Sequence, residues 1–190
     1  MIPLEQSLAI QAWLAESVDR AADRLIDEHA VDTEMTVLET RCGRLSELAA
    51  EGFLSEGERI AGVMRAYRGQ LEGAALLAMD PEEALAWSLA DRDGRSPVET
   101  YVDLGGRVLQ AVAEVAAESL GVEAQLSAAR LEESTAADCL VATHAPPDVM
   151  MLSSRVEIRV SGQWLAAELH LLLPPKVLSQ LLRSLSVGIH

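Results

Sequence analysis

The stretch YRGQLEGAALLAMDP, residues 67–81, has a counterpart in VSGQWLAAELHLLLP, residues 160–174. With Gly69 set on Gly162 no gap is needed: Gln70 meets Gln163, Ala74 meets Ala167, Leu76 meets Leu169 and Pro81 meets Pro174. Each copy has a Gly-Gln turn, an apolar run too short for a helix, and a proline that opens an amphipathic segment, PEEALAWSLADR or PPKVLSQLLRSL. That order spells strand, turn, strand, then a helix with proline in its first turn.

A second match lies upstream. WLAESVDRAADRLIDEH from Trp13 and ETYVDLGGRVLQAVAEVAAESL from Glu99 are both long helical patterns, aligned so that Glu16 falls on Asp103, Asp19 on Gly106 and Arg20 on Arg107. Both run into extended stretches, Val31–Arg41 and Val122–Arg130. The repeated order predicts a single α+β domain over residues 1–190. Its halves, about 7–94 and 97–187, are related by a pseudo-twofold and share a mostly antiparallel sheet that carries long exposed helices.

Composition narrows the function. A chain of 190 residues suits one domain with a core of its own. Apolar residues make up 49% but aromatics only 3%, so the core is read as aliphatic, with Trp13, Trp87 and Trp164 as its isolated large side chains. The formal net charge is −15 and Lys176 is the one lysine. Such a surface repels nucleic acid and anionic membrane. No apolar run approaches membrane-spanning length, and a helix is expected to begin at once from Met1-Ile2-Pro3-Leu4, with no signal segment. The reading is a soluble, cytoplasmic protein. Cys42 and Cys139 are read as reduced, buried small side chains in corresponding extended regions. His29, His144, His170 and His190 are scattered without metal-ligand spacing, so no bound metal is expected.

Taken in order, residues 4–29 form a helix whose buried stripe is read as Leu8, Ala12, Ala15, Val18, Ala22, Leu25 and Ile26. Glu16, Asp19, Arg20, Asp23 and Asp27 share its polar face. A polar connector over Gly43–Gly57 holds one helical turn, LSELAAEG. Strands are expected at Ile60–Arg68 and Leu71–Met79. Asp80 is read as an N-cap ahead of Pro81, and that helix stops near Asp93-Gly94. Ser96 and Pro97 start the second long helix, with an apolar stripe of Val98, Val102, Leu109, Val112, Ala116 and Leu120. Two glycines inside it, Gly105-Gly106, cost roughly 1 kcal/mol each against alanine, which implies that another backbone packs closely there. Strands are expected at Val122–Leu131, Cys139–Thr143 and Arg155–Val160, before the second hairpin and the last helix.

No phosphate loop, nucleotide fingerprint or Ser-His-Asp order is present. By pattern alone, Glu16 and Asp19 in one long helix, and Glu99, Asp103 and Gly106 in the other, occupy equivalent exposed positions on solvated acidic faces. Resemblance goes further. The duplicated order, the YRGQLEGAALLAMDPEEA block and the segment ETYVDLGGRVLQAVAEVAAESLGVEAQLSAARL are similar to the CheC family of chemotaxis proteins, with its relatives CheX and the phosphatase part of FliY. The likeness runs over nearly the whole chain.

The resemblance implies docking on a phosphorylated CheY-type response regulator and hydrolysis of its aspartyl phosphate. That family's motif is Asp or Ser, three residues, Glu, two residues, Asn, and a proline well downstream. Its acidic residue anchors on a regulator lysine and its Asn amide orients the attacking water. Carried over by position, Glu16 and Asp103 keep the acidic anchors. The asparagines are replaced by Asp19 and Gly106, and the prolines by Val37-Leu38 and Ala128-Ala129. At the leading position Ala12 departs and Glu99 is a partial match. Arg20, Arg107 and Glu99 are placed at the partner-binding face. The expectation is docking with weak or lost phosphatase activity, any magnesium being supplied by the regulator. The alternative is a non-catalytic module that binds the receptor deamidase CheD or another signalling protein.

Overall fold

The computed structural model describes residues 4–29, 31–44, 58–91, 94–146 and 148–187. The elements are α1 (Leu4–His29), β1 (Thr33–Arg44), β2 (Arg59–Arg68), β3 (Gly73–Met79), α2 (Pro81–Ala90), α3 (Pro97–Leu120), β4 (Gln125–Leu126), β5 (Arg130–Thr135), α4 (Ala136–Ala142), β6 (Met150–Val160), β7 (Gln163–Leu173) and α5 (Pro175–Val187). The fold is α+β, with five helices and a seven-stranded sheet among the described residues. Its strand order is β1-β6-β7-β3-β2-β4, with β5 also paired to β2, and each of these pairings is antiparallel.

Gly69 and Gly162, set on each other by the sequence, both adopt φ of +80° at the turns of the two hairpins. Glycine takes that left-handed conformation at little cost, so one backbone solution serves both turns. The hairpins meet at the sheet centre, where β3 pairs with β7 from Ala74↔Leu172 to Met79↔Ala167. Those residues of β7 are the ones the sequence repeat assigns to β3. Exchanging β1 for β5, β2 for β6 and β3 for β7 returns the same order read from the opposite edge, as a pseudo-twofold between β3 and β7 requires.

All the longer helices lie on one side of this sheet, where they share a core with Val63, Leu77, Leu169 and Leu171. Trp87 is wholly buried there and meets Tyr101 edge-on, the ring centroids 6.1 Å apart. The other side is covered in part by α4, which buries Met64, Leu76, Met151 and Leu172 beneath Cys139 and Leu140. The start of α2 is as expected: Asp80 Oδ1 accepts from the Glu82 amide at 2.8 Å and Pro81 opens the helix. Ser96 caps α3 in a reciprocal box with Glu99.

Several expectations are corrected. Cys139–Thr143 is not a strand, since Cys139 lies within α4; Thr135 Oγ1 accepts from the Asp138 amide at 3.2 Å and starts a helix there. Val122–Leu131 is extended only in two pieces, β4 and the start of β5. The helix from Pro81 ends at Ala90, before Asp93-Gly94. In α1 the buried side is Ile10, Trp13, Leu14, Ser17, Val18, Ala21, Ala22 and Leu25, whereas Leu8, Ala12 and Ile26 are exposed. In α3, Val98 is exposed and Val102 only half-buried. Alanine is frequent on every side of both helices, so spacing alone admits stripes rotated from the true one. Trp164 is 57% exposed, on the sheet side away from the long helices, with the Arg159 guanidinium 5.4 Å from its ring centroid. Both cysteines are free; Cys139 is buried and Cys42 half-buried, its thiol pushed up to about 11 by desolvation. The helical turn read in LSELAAEG lies outside the described residues.

Candidate functional site

The two long helices pack antiparallel, joined by a ladder of ion pairs. Arg20 reaches Glu118 at 2.7 Å, Arg24 pairs with Glu114, and Arg107 reaches Glu28 at 2.8 Å. Burial of Glu114 alone would raise its carboxyl, but the Arg24 and Gln110 hydrogen bonds and the nearby guanidinium charges hold it below the usual range. Arg20 and Arg107 are equivalent in the sequence repeat, and each reaches a glutamate of the opposite helix, although Glu118 and Glu28 are not counterparts in the repeat. Each also reaches back one turn to the motif carboxylate of its own helix, Glu16 at 3.5 Å and Asp103 at 3.6 Å. The arginines assigned to a partner face are thus each tied to the opposite helix while remaining about a third exposed.

Beyond that shared pattern the halves differ. On α1, the Glu16 side chain is 63% exposed with Arg20 as its ion-pair partner, and Asp19, Asp23 and Asp27 stand exposed along the same face. A solvated pair of this kind contributes under about 1 kcal/mol, so a competing cation displaces Arg20 readily. On α3, Asp103 is only 32% exposed and is gripped from three sides. Arg95 approaches at 2.8 Å, Arg107 at 3.6 Å and His29 Nε2 at 3.4 Å. Burial would raise the Asp103 carboxyl, but the Arg95 hydrogen bond and the charges of Arg107 and His29 hold it below the usual range. His29 is itself braced through Nδ1, 3.2 Å from the buried Asp91. Glu99 is exposed, yet its carboxylate accepts from the Ser96 hydroxyl and amide, and these bonds hold it below the usual range.

Gly106, read from the sequence as exposed, is buried. A Cβ placed on it would stand 2.9 Å from Ala129 Cβ, and one on Gly105 would stand 2.9 to 3.2 Å from three Val63 carbons. The glycines do serve close packing, but the neighbours are the side chains of a strand and a loop, not another backbone. Arg65 holds the loop in place, donating to Ser127 O at 2.9 Å and to Gly106 O at 3.1 Å.

His29, Asp91, Arg95 and Arg65 were not legible as site residues. They come from a helix end, a connector and a strand, and only the tertiary fold brings His29 and Arg95 to Asp103, Asp91 behind them and Arg65 to Gly106. Among the described residues no cluster of three or more His, Cys, Asp or Glu has the arrangement to hold a metal, and no helix is long and apolar enough to cross a membrane.

This arrangement of a duplicated antiparallel sheet under two long helices is the fold of the CheC/CheX/FliY proteins. No family model matches the sequence, and neither does any curated protein. Solved structures do. The chain is similar to Thermotoga maritima FliY, with a TM-score of 0.74 at 13% identity over 98% of each chain. It is similar to the FliM middle domain from H. pylori, at 0.68 and 12% over 96% of this chain and 99% of that one. It also matches a chain of the CheX–CheY–BeF3–Mg2+ complex from Borrelia burgdorferi, at 0.50 and 14% over 85% of this chain and 97% of that one. Identities this low establish the fold and leave the activity to be argued from the residues.

Proposed function

We propose that this protein docks on a phosphorylated CheY-type response regulator through its long helices, with weak or lost hydrolysis of the aspartyl phosphate. It acts in the cytoplasm and holds no metal of its own, magnesium arriving with the regulator. The observation that carries the reading is the open pair Glu16 and Asp19, one helical turn apart on an exposed face, on a fold shared with a complex of CheX and CheY. Glu16 offers a carboxylate to a lysine of the partner. The weakness lies at the next position. A carboxylate accepts hydrogen bonds and donates none when ionised, so Asp19 orients no water by donation and brings negative charge toward a phosphoryl group. On α3 the corresponding position is Gly106, which has no side chain to insert.

The test is phosphate release from a phosphorylated receiver domain, paired with a binding measurement on the same receiver activated by BeF3. Tight binding to the activated form with little acceleration of release is expected. Asp19→Asn restores an amide while keeping size, and a single donor of this type is worth about a hundredfold in rate, so release should accelerate. Glu16→Ala should cancel the gain. Binding without any gain from Asp19→Asn would make the protein a purely non-catalytic module. No binding to any receiver would overturn the proposal and leave the deamidase CheD or another signalling protein as the partner to be tried.

A further inference from the structure

We infer that this two-halved chain presents one docking face for a receiver and not two, because its own residues have closed the face on α3. The inference rests on the docking reading and specifies its stoichiometry. Equivalent positions of the repeat have opposite fates. Glu16 and Asp19 stand exposed on α1, 63% of the Glu16 side chain being open. Asp103 is spent on Arg95, Arg107 and His29, contacts drawn from the inter-half connector, its own helix and the end of α1. To anchor a partner lysine there, the lysine would have to displace two guanidiniums that the fold itself supplies, with the His29 ring packed against the same carboxylate.

The shape is wrong as well as the charge. Where a docking helix must project a side chain, α3 has Gly106 beneath Ala129, with no room for a Cβ. Arg65 fastens this cover by bonding the loop at Ser127 O and the helix at Gly106 O, and Ser127 Oγ accepts from the Ala66 amide at 2.9 Å. The cover follows from connector length. Residues 30–32 join α1 to β1, whereas residues 121–129 join α3 to β5, and the longer link lies back over α3. What remains beside α3 is a shallow groove of about 580 Å³, where the carboxylates of Glu99 and Asp103 stand among the guanidiniums of Arg65, Arg95 and Arg107. The faces are also distinct. Asp103 is level with His29, and Glu16 lies thirteen residues earlier on α1, roughly 20 Å along the helix pair. A receiver domain of ordinary size is about 35 Å across, wider than this separation, so the stoichiometry is read together with variants that tell the two faces apart.

The experiment is calorimetric titration of the full chain with a BeF3-activated CheY-type receiver, the mass of the complex being checked by light scattering. One receiver per chain is expected. Glu16→Lys, at an exposed position, should weaken binding about tenfold or more, while Asp103→Asn should change it less than about twofold. Two receivers per chain would overturn the inference and leave the docking reading intact. So would a single receiver whose binding is lost in Asp103→Asn and unaffected by Glu16→Lys. Absence of binding by the wild-type chain would overturn the docking reading and this inference with it.

Discussion

Replacing Gly105 by alanine is the sharpest probe of how α3 sits on the sheet. On an open helix the change should stabilise by roughly 1 kcal/mol through helix propensity. Here the new methyl would meet Val63 Cγ2 at 2.9 Å, Cβ at 3.0 Å and Cγ1 at 3.2 Å. Val63 is fully buried on β2, hydrogen-bonded between β3 and β5 and paired in register with Leu77 and Leu131. It has no direction in which to yield. Overpacking of that kind costs about 1 to 3 kcal/mol, so the net effect is a loss of about 1 kcal/mol. For a domain of this size that lowers Tm by about 2 to 4 °C. Gly106→Ala meets a single atom on a loop, and its loss should be smaller. Urea titration of the single variants and of the Val63→Ala/Gly105→Ala pair measures the coupling. With the two γ carbons of Val63 gone, the remaining 3.0 Å contact with its Cβ relaxes into the vacated space and the cost of Gly105→Ala should largely vanish, giving a coupling of about 1 to 2 kcal/mol. A stabilising Gly105→Ala in the wild-type background, or zero coupling to Val63, would refute the packing argument.

Two further outcomes follow from the helix pair. Ser96→Ala removes the reciprocal cap with Glu99 and should cost about 1 kcal/mol, read as a lower urea midpoint at unchanged slope. The carboxyls of Asp103, Glu99, Glu114 and Glu118 are all held below their usual range. Groups depressed in the folded state contribute stability that is present above the unfolded pKa, about 4, and is lost as pH falls through the folded value. Stability should therefore be flat near neutrality and decline in acid. Glu114→Gln should be less stable than wild type at pH 7, with a gap that narrows toward pH 3; a gap that widens in acid would contradict the sign.

Much of the fold could be read from the chain because its signals are local. The Gly69 and Gly162 turns, the Asp80 and Ser96 caps and the prolines that follow them act within a few residues, and each stands where the sequence put it. Helix stripes were less legible. Alanine-rich α1 and α3 leave the choice of buried face to the sheet, which buried Trp13, Leu14 and Tyr101 and left Leu8 and Val98 in solvent. One local signal was present and passed over: Thr135 three residues before Asp138 marks the start of α4, but an apolar run with a cysteine and valine resembles a strand. The site was half legible. Glu16 and Asp19 stand in the open as their pattern suggested. The grip on Asp103 was not, since His29, Asp91 and Arg95 lie in a helix end and connectors that carry no periodicity.

The central claim, docking through the open face of α1, is tested most directly by following backbone amide signals of the labelled protein as a BeF3-activated CheY-type receiver is added. The account predicts shifts concentrated from Glu16 to Asp23, little change from Glu99 to Gly106, and loss of the response when the receiver is left unactivated. Shifts centred on α3, or none at all at saturating receiver, would contradict it.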